Sequence, residues 1–283
     1  VVADLVERAH VSVPKPVKAA DPELSDRLNA EQCAAVRALD QASVVLLSGG
    51  PGTGKTSTVV EILARAEARH PGLRIGLAAP TGKAARRLGE AVMAQRAPLP
   101  CSTLHRWLEA GSRGFGRHRQ RPLELDLLVI DEMSMLDLAL TQALLEALPS
   151  GCRLLLVGDP AQLPPVGSGA VWHRLQQPDV RGRFGAGAVH LERTYRNRGA
   201  LAQVAQQLRQ GNLEAFAADL AALPEQANLQ VHPWPLRRFP ALVRQRWIQR
   251  LQQLQELTVD LDRCTEQELM AASRPLFALL EQD

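Results

Sequence analysis

Residues Gly49–Thr56 read GGPGTGKT, and their types and spacing can hold an anion. Glycines let successive backbone N–H groups turn inward, and a lysine with a hydroxyl residue closes the stretch. Val44–Leu47 runs in as a short apolar strand, and Thr58–Ala68 runs out with helical spacing. Strand, glycine loop and helix together form a phosphate-site pattern. The backbone of Gly49, Gly50, Pro51, Gly52, Thr53 and Gly54 would wrap the phosphates. Lys55 would reach the β- and γ-phosphates of a nucleotide, and the Thr56 hydroxyl, beside Ser57, would ligate Mg²⁺. ATP with Mg²⁺ is the expected cofactor.

Leu127–Glu132 reads LLVIDE, a buried strand delivering two acids. Asp131 would share the ion with Thr56. Glu132 would orient or deprotonate an attacking water. Gln162 follows another apolar strand within GDPAQ, and its amide can donate to a γ-phosphate oxygen and accept from water or an acid. Asp159 in that stretch reads as an Asx turn. Arg196, in Thr194-Tyr195-Arg196, is either an arginine finger or a solvated side chain. Gln32 is either a reader of an adenine edge or a helix-surface residue.

A second set of residues suits a nucleic acid strand. Lys83, Arg86 and Arg87 share a helix that Thr81 opens. His105 and Arg106 precede Trp107, which either stacks on a base or fills the core. The plain alternative for the basic residues is a solvated helix face.

The elements that must position these groups alternate along the chain. Helices are expected over Leu24–Asp40, Lys83–Gln95, Ser102–Leu108, Leu136–Leu148, Val171–Gln176 and Gly199–Arg209. Asn29 is a possible start residue for the first of them. Strands are expected over Leu73–Ala79, Leu125–Ile130, Leu154–Val157 and Ala188–Leu191. This alternation predicts an α/β fold, a parallel sheet with helices on both faces and ligands at the carboxyl ends of its strands. Gly111–Pro122 reads as an exposed loop, and Val1–Pro22, broken by prolines, as a linker or the remnant of a preceding domain. Helices are also expected within Trp234–Leu254 and Leu269–Gln282.

The bulk composition narrows the class less than the motifs do. The chain has 283 residues, 46% of them hydrophobic, with a net charge of +3. That is enough apolar content for a packed core, and too little charge to decide on nucleic acid. Arginines do cluster in RGFGRHRQR at Arg113–Arg121. The four cysteines form no C-x-x-C pair, which argues against zinc and fits a reducing cytoplasm. No apolar run approaches the ~20 residues of a spanning helix, so no membrane role is expected.

Taken together, LNAEQ at Leu28–Gln32, SGGPGTGKTS at Ser48–Ser57, AAPTGKAARRL at Ala78–Leu88, TLHR at Thr103–Arg106, LVIDEMSMLD at Leu128–Asp137, GDPAQLPPVGSG at Gly158–Gly169 and TYR at Thr194–Arg196 resemble superfamily 1 DNA helicases. Within them the resemblance is to the RecD family, the alpha subunits of exodeoxyribonuclease V. It covers roughly Leu24 to Gly211.

The resemblance implies an ATP-driven motor moving 5′ to 3′ on single-stranded DNA, in double-strand-break repair with RecB- and RecC-type subunits. It implies a RecA-like fold and assigns adenine contact to Gln32, phosphate contact to Lys55, the metal to Thr56 and Asp131, catalysis to Glu132, γ-phosphate contacts to Gln162 and Arg196, and DNA contact to Thr81–Ala85. The later family motifs, one resembling TVHKSQG, do not occur between Gly199 and Asp283. The expected organisation is therefore a linker or remnant over 1–23, a first motor domain over 24–186 and an incomplete second one over 187–283. For the chain by itself, ATP·Mg²⁺ binding with slow turnover is expected. A P-loop ATPase that remodels a protein partner without DNA is the competing reading.

Overall fold

The computed structural model describes residues 1–13, 28–112, 114–195, 204, 207–208 and 211–222. Arg196, most of the Gly199–Arg209 helix and both expected helices past Trp234 lie outside the described residues. The chain divides into two units, Val1–Asp219 and Leu220–Asp283, and the sheet belongs wholly to the first.

Chain order runs α1 (Val2–Ala9), α2 (Ala30–Ala38), β1 (Val44–Gly49), α3 (Lys55–Arg69), β2 (Ile75–Ala79), α4 (Gly82–Met93), β3 (Cys101–Thr103), α5 (Leu104–Trp107), β4 (Ala110–Gly111), β5 (Gly114–Phe115), β6 (Leu127–Ile130), α6 (Leu138–Ala147), β7 (Arg153–Gly158), α7 (Val171–Gln176), α8 (Pro178–Arg181) and β8 (Ala188–Leu191). Six strands form one parallel sheet in the order β3-β2-β6-β7-β1-β8. Side chains alternate across it. Val44, Leu46, Leu128, Ile130, Leu154 and Leu156 pack on one face with α1, α5, α6 and α7. Val45, Leu47, Leu127, Val129, Leu155 and Val157 pack on the other with α2, α3 and α4. Both faces are therefore apolar, which is why the strands read as continuous hydrophobic runs.

Helix starts follow local chemistry. Asn29 and Gln32 form a reciprocal capping box at α2. Thr81, Thr103 and Asp137 each accept a backbone N–H at the start of α4, α5 and α6. The expected helix over Leu136–Leu148 accordingly begins only after Asp137.

Three expectations need correction. Val2–Ala9 is not linker: Leu5 and Val6 are each 1% exposed and belong to the core. Its apolar residues repeat at helical spacing over only eight residues, and the prolines from Pro14 onward led the domain start to be placed too late in the chain. Replacing Leu5 with Ala is expected to destabilise the fold by about 2–5 kcal/mol, as for other buried leucines. A linker leucine would cost under ~0.5 kcal/mol, and urea denaturation separates the two. Second, β8 does not open another domain at 187. It pairs with β1 over Leu46–Gly49, and the first unit reaches Asp219. Third, the helix expected over Ser102–Leu108 begins only at Leu104 with Thr103 as its cap, because Cys101–Thr103 is a strand beside β2, and the largely exposed Gly111–Pro122 stretch carries β5 and the end of β4.

The cysteines among the described residues, Cys33, Cys101 and Cys152, are free. Burial pushes the Cys152 thiol up to about 12, so it behaves as a small core residue. Among the described residues no helix is long and apolar enough to cross a membrane.

Candidate nucleotide site

Strand order decides which loops meet. β7 lies between β1 and β6, so the loop after it sits between the Lys55 loop and the Asp131–Glu132 tip. Ser48 pairs with Gly158, and Leu156 with Ile130, so the three strands end nearly level. At ~4.8 Å per strand step, the outer two are about 10 Å apart, within reach of a lysine from one and an acid from the other.

The Lys55 ammonium donates to the carbonyls of Gly49 at 2.8 Å and Gly50 at 2.9 Å. Burial lowers its pKa, while the charges of Asp159, Asp131 and Glu132 act in the opposite direction. Three carboxylates thus face one ammonium. Asp131 is itself pushed up by burial, against a hydrogen bond from the Glu132 backbone and the charges of Lys55 and Arg87. A half-hidden carboxylate with raised proton affinity is one that a cation would stabilise.

Gly54 caps α3 with φ of 84°, a left-handed conformation. That φ calls for glycine, and a Cβ there would also push on the Gln32 amide at 2.7 Å. Thr53 is buried and donates from Oγ1 to the Gly50 carbonyl at 2.9 Å. Thr56 and Ser57 expose their hydroxyls at the first turn of α3. Glu132 also has a left-handed backbone, φ 56°, and its N–H donates to Asp131 Oδ1 at 2.9 Å. For a side-chain-bearing residue this conformation costs about 1–2 kcal/mol, a strain kept at the tip of the acidic strand.

Gln162 belongs to the same group. Its Oε1 accepts from Ser134 Oγ at 2.9 Å, which leaves its NH₂ as the free end. The NH₂ can therefore donate here, and the second lone pair of Oε1 can still accept. Asp159 makes the Asx turn, accepting from the Ala161 N–H at 2.8 Å. It is also 4% exposed and faces Lys55, a partnership the turn reading did not include.

Gln32 is buried rather than on the helix surface. Its Oε1 accepts from the Asn29 N–H at 3.0 Å. Tyr195 was not singled out in the sequence by itself. Its N–H donates to the Gly52 carbonyl at 2.7 Å, its hydroxyl accepts from Asn29 Nδ2 at 3.0 Å, and Arg193 stands 5.3 Å over its ring. The segment leading to Arg196 is therefore seated on the glycine loop.

The basic groups occupy the neighbouring strand ends. Ala79 of β2 pairs with Thr103 of β3, which sets the starts of α4 and α5 side by side. Lys83, Arg86, Arg87, His105 and Arg106 are exposed there. Trp107 is half-buried: its Nε1 donates to the Leu77 carbonyl at 2.8 Å and its ring lies against Gly76. The RGFGRHRQR arginines are partly neutralised, since Arg117 and Arg121 both pair with Glu109.

These features define the class as a P-loop nucleotide-binding domain with a parallel sheet. Residues 32–168 match the family model described as an AAA domain. Among characterised proteins, the chain is 39% identical to the RecBCD enzyme subunit RecD of Mycolicibacterium smegmatis, over 75% of this chain and 41% of that protein. It is 49% identical to the RecBCD enzyme subunit RecD of Mycobacterium tuberculosis, over 49% of this chain and 27% of that protein. It is 47% identical to the ATP-dependent RecD2 DNA helicase of Deinococcus radiodurans, over 50% of this chain and 19% of that protein. A crystal structure of Pif1 helicase from Candida albicans aligns with a TM-score of 0.48 at 24% identity, covering 74% of this chain and 50% of that one. The chain is thus similar to RecD proteins over part of their length, and it spans less than half the length of these curated relatives.

Proposed function

We propose that the chain carries the first motor domain of a RecD-type helicase, which hydrolyses ATP to move 5′ to 3′ along single-stranded DNA in the exodeoxyribonuclease V complex with RecB- and RecC-type subunits. The observation that carries this reading is the division of one sheet edge. β1, β7 and β6 bring Lys55, Gln162 and Asp131–Glu132 together, while β2 and β3 present the basic starts of α4 and α5 alongside. A remodelling ATPase has no need of the second set.

In this reading the triphosphate takes the N-terminal end of α3, and Lys55 exchanges the Gly49 and Gly50 carbonyls for phosphate oxygens. Thr56 and Asp131 would hold Mg²⁺, which supplies charge neutralisation at the β- and γ-phosphates. Few protein ligands suffice, because Mg²⁺ keeps waters and takes phosphate oxygens. Glu132 holds a water in line with the γ-phosphorus and accepts its proton as the P–O bond to ADP breaks. The free NH₂ of Gln162 donates to a γ-phosphate oxygen. Tyr195 and Gln32 flank the base on the far side of the loop, and Arg196 remains the arginine finger of this proposal. The motor domain begins with α1 and includes β8.

DNA-stimulated hydrolysis tests the reading. In the full-length protein, single-stranded DNA is expected to raise steady-state ATP hydrolysis. The double variant Lys83→Ala, Arg86→Ala is expected to need several-fold more DNA for half-maximal stimulation, with a shallower salt dependence. Absence of stimulation in the unaltered protein would instead favour a protein-remodelling ATPase.

A further inference from the structure

We propose that His173 is a positioning residue for hydrolysis, holding Gln162 at the nucleotide through its backbone carbonyl. The inference rests on the reading that Gln162 meets the γ-phosphate. His173 belongs to none of the stretches that carry the resemblance, and the geometry alone brings it forward.

Gln162 stands at the root of a poorly supported loop. Leu163 is 86% exposed, and Val166 is fully exposed. The next backbone tie after them is the Leu138 N–H to the Ser168 carbonyl at 3.1 Å. The Gln162 N–H itself makes only a long 3.4 Å contact to the Asp159 carbonyl. Two shorter bonds remain. Ser134 holds the side-chain carbonyl at 2.9 Å, and His173 Nε2 lies 3.0 Å from the backbone carbonyl. A carbonyl only accepts, so Nε2 carries the proton. In the neutral ring Nδ1 then carries none, in keeping with its burial without a hydrogen-bond partner.

The histidine is mounted on a firm base. Trp172 and Leu175 of α7 are fully buried, and the Trp172 indole fills the space that a Cβ on Gly158 would need. Gly158 ends β7, the strand that delivers Gln162. Helix α7 is therefore locked to the sheet at Gly158 and, through His173, to the loop four residues later. Without the second tie, the Gln162 amide would share in the freedom of the solvent-exposed loop.

The test is a series at one position in the full-length protein. His173→Leu removes the donor. His173→Gln places an amide nitrogen as many bonds from Cα as Nε2, and His173→Asn places it one bond short. The expected result is a roughly three- to tenfold lower kcat for His173→Leu and His173→Asn, with KM for ATP within about twofold, and restored kcat for His173→Gln. Unchanged kcat in His173→Leu would overturn the proposal. Should that variant not fold, equal kcat in the Gln and Asn variants would overturn it. A change confined to KM would do so as well, because positioning acts after binding. Failure of the underlying reading has a different signature: a Gln162→Ala protein with unaltered kcat.

Discussion

Glu132→Gln is expected to reduce ATP turnover by about 10³-fold or more while leaving nucleotide binding intact. Glutamine keeps the size of the side chain and tolerates the left-handed backbone about as well, so the strained tip should persist. What is lost is the proton acceptor and one negative charge. Lys55 then faces Asp159 and Asp131 instead of three acids. Less negative charge repels the triphosphate, so affinity should hold or rise. Phosphate release at saturating ATP reads the first effect, and titration with a fluorescent ATP analogue reads the second. Undiminished turnover would remove Glu132 from the role of base.

The second large effect belongs to Lys55→Ala. Its ammonium is the cation around which Asp159, Asp131 and Glu132 gather, and it sits at the inward-facing carbonyls of the glycine loop. Without it the acids confront the incoming phosphates with no local compensation. Loss of one such charge at a phosphoryl-transfer site costs ~10³–10⁵ in rate. Here binding should weaken too, which distinguishes this variant from Glu132→Gln. The same two measurements apply, together with a thermal melt. Among the described residues the bonds removed run to Gly49 and Gly50, so the melting temperature should move little. Retained ATP affinity in a folded Lys55→Ala protein would show that the phosphates lie elsewhere.

Much of the architecture was legible in the sequence because a parallel sheet covered on both faces writes itself as uninterrupted apolar runs. Val44–Leu47, Leu127–Ile130 and Leu154–Val157 are such runs, and each falls in an observed strand. β3 was missed for the complementary reason: Cys101-Ser102-Thr103 is a half-buried edge segment with no apolar signature. Helix α1 was missed because eight residues ahead of several prolines carry too little periodicity to outweigh them. Its partners in the core are far along the chain, in α7 and β1.

The site divides along the same line. Residue type and spacing marked Lys55, Thr56, Asp131, Glu132 and Gln162, because each closes a strand–loop pattern whose chemistry is local. Sequence by itself determined which loops carry the candidate phosphate-binding groups and that a sheet must carry them. Only the tertiary structure decided their company. Placing β7 between β1 and β6 set Asp159 against Lys55 and gave Gln162 its Ser134 support at the side chain and its His173 support at the backbone. Pairing β8 with β1 carried Tyr195 onto the glycine loop, and bonding Trp107 to Leu77 tied that ring to β2. These contacts join residues distant in the chain, and strand order in a sheet is a property of packing that no local pattern of residues records.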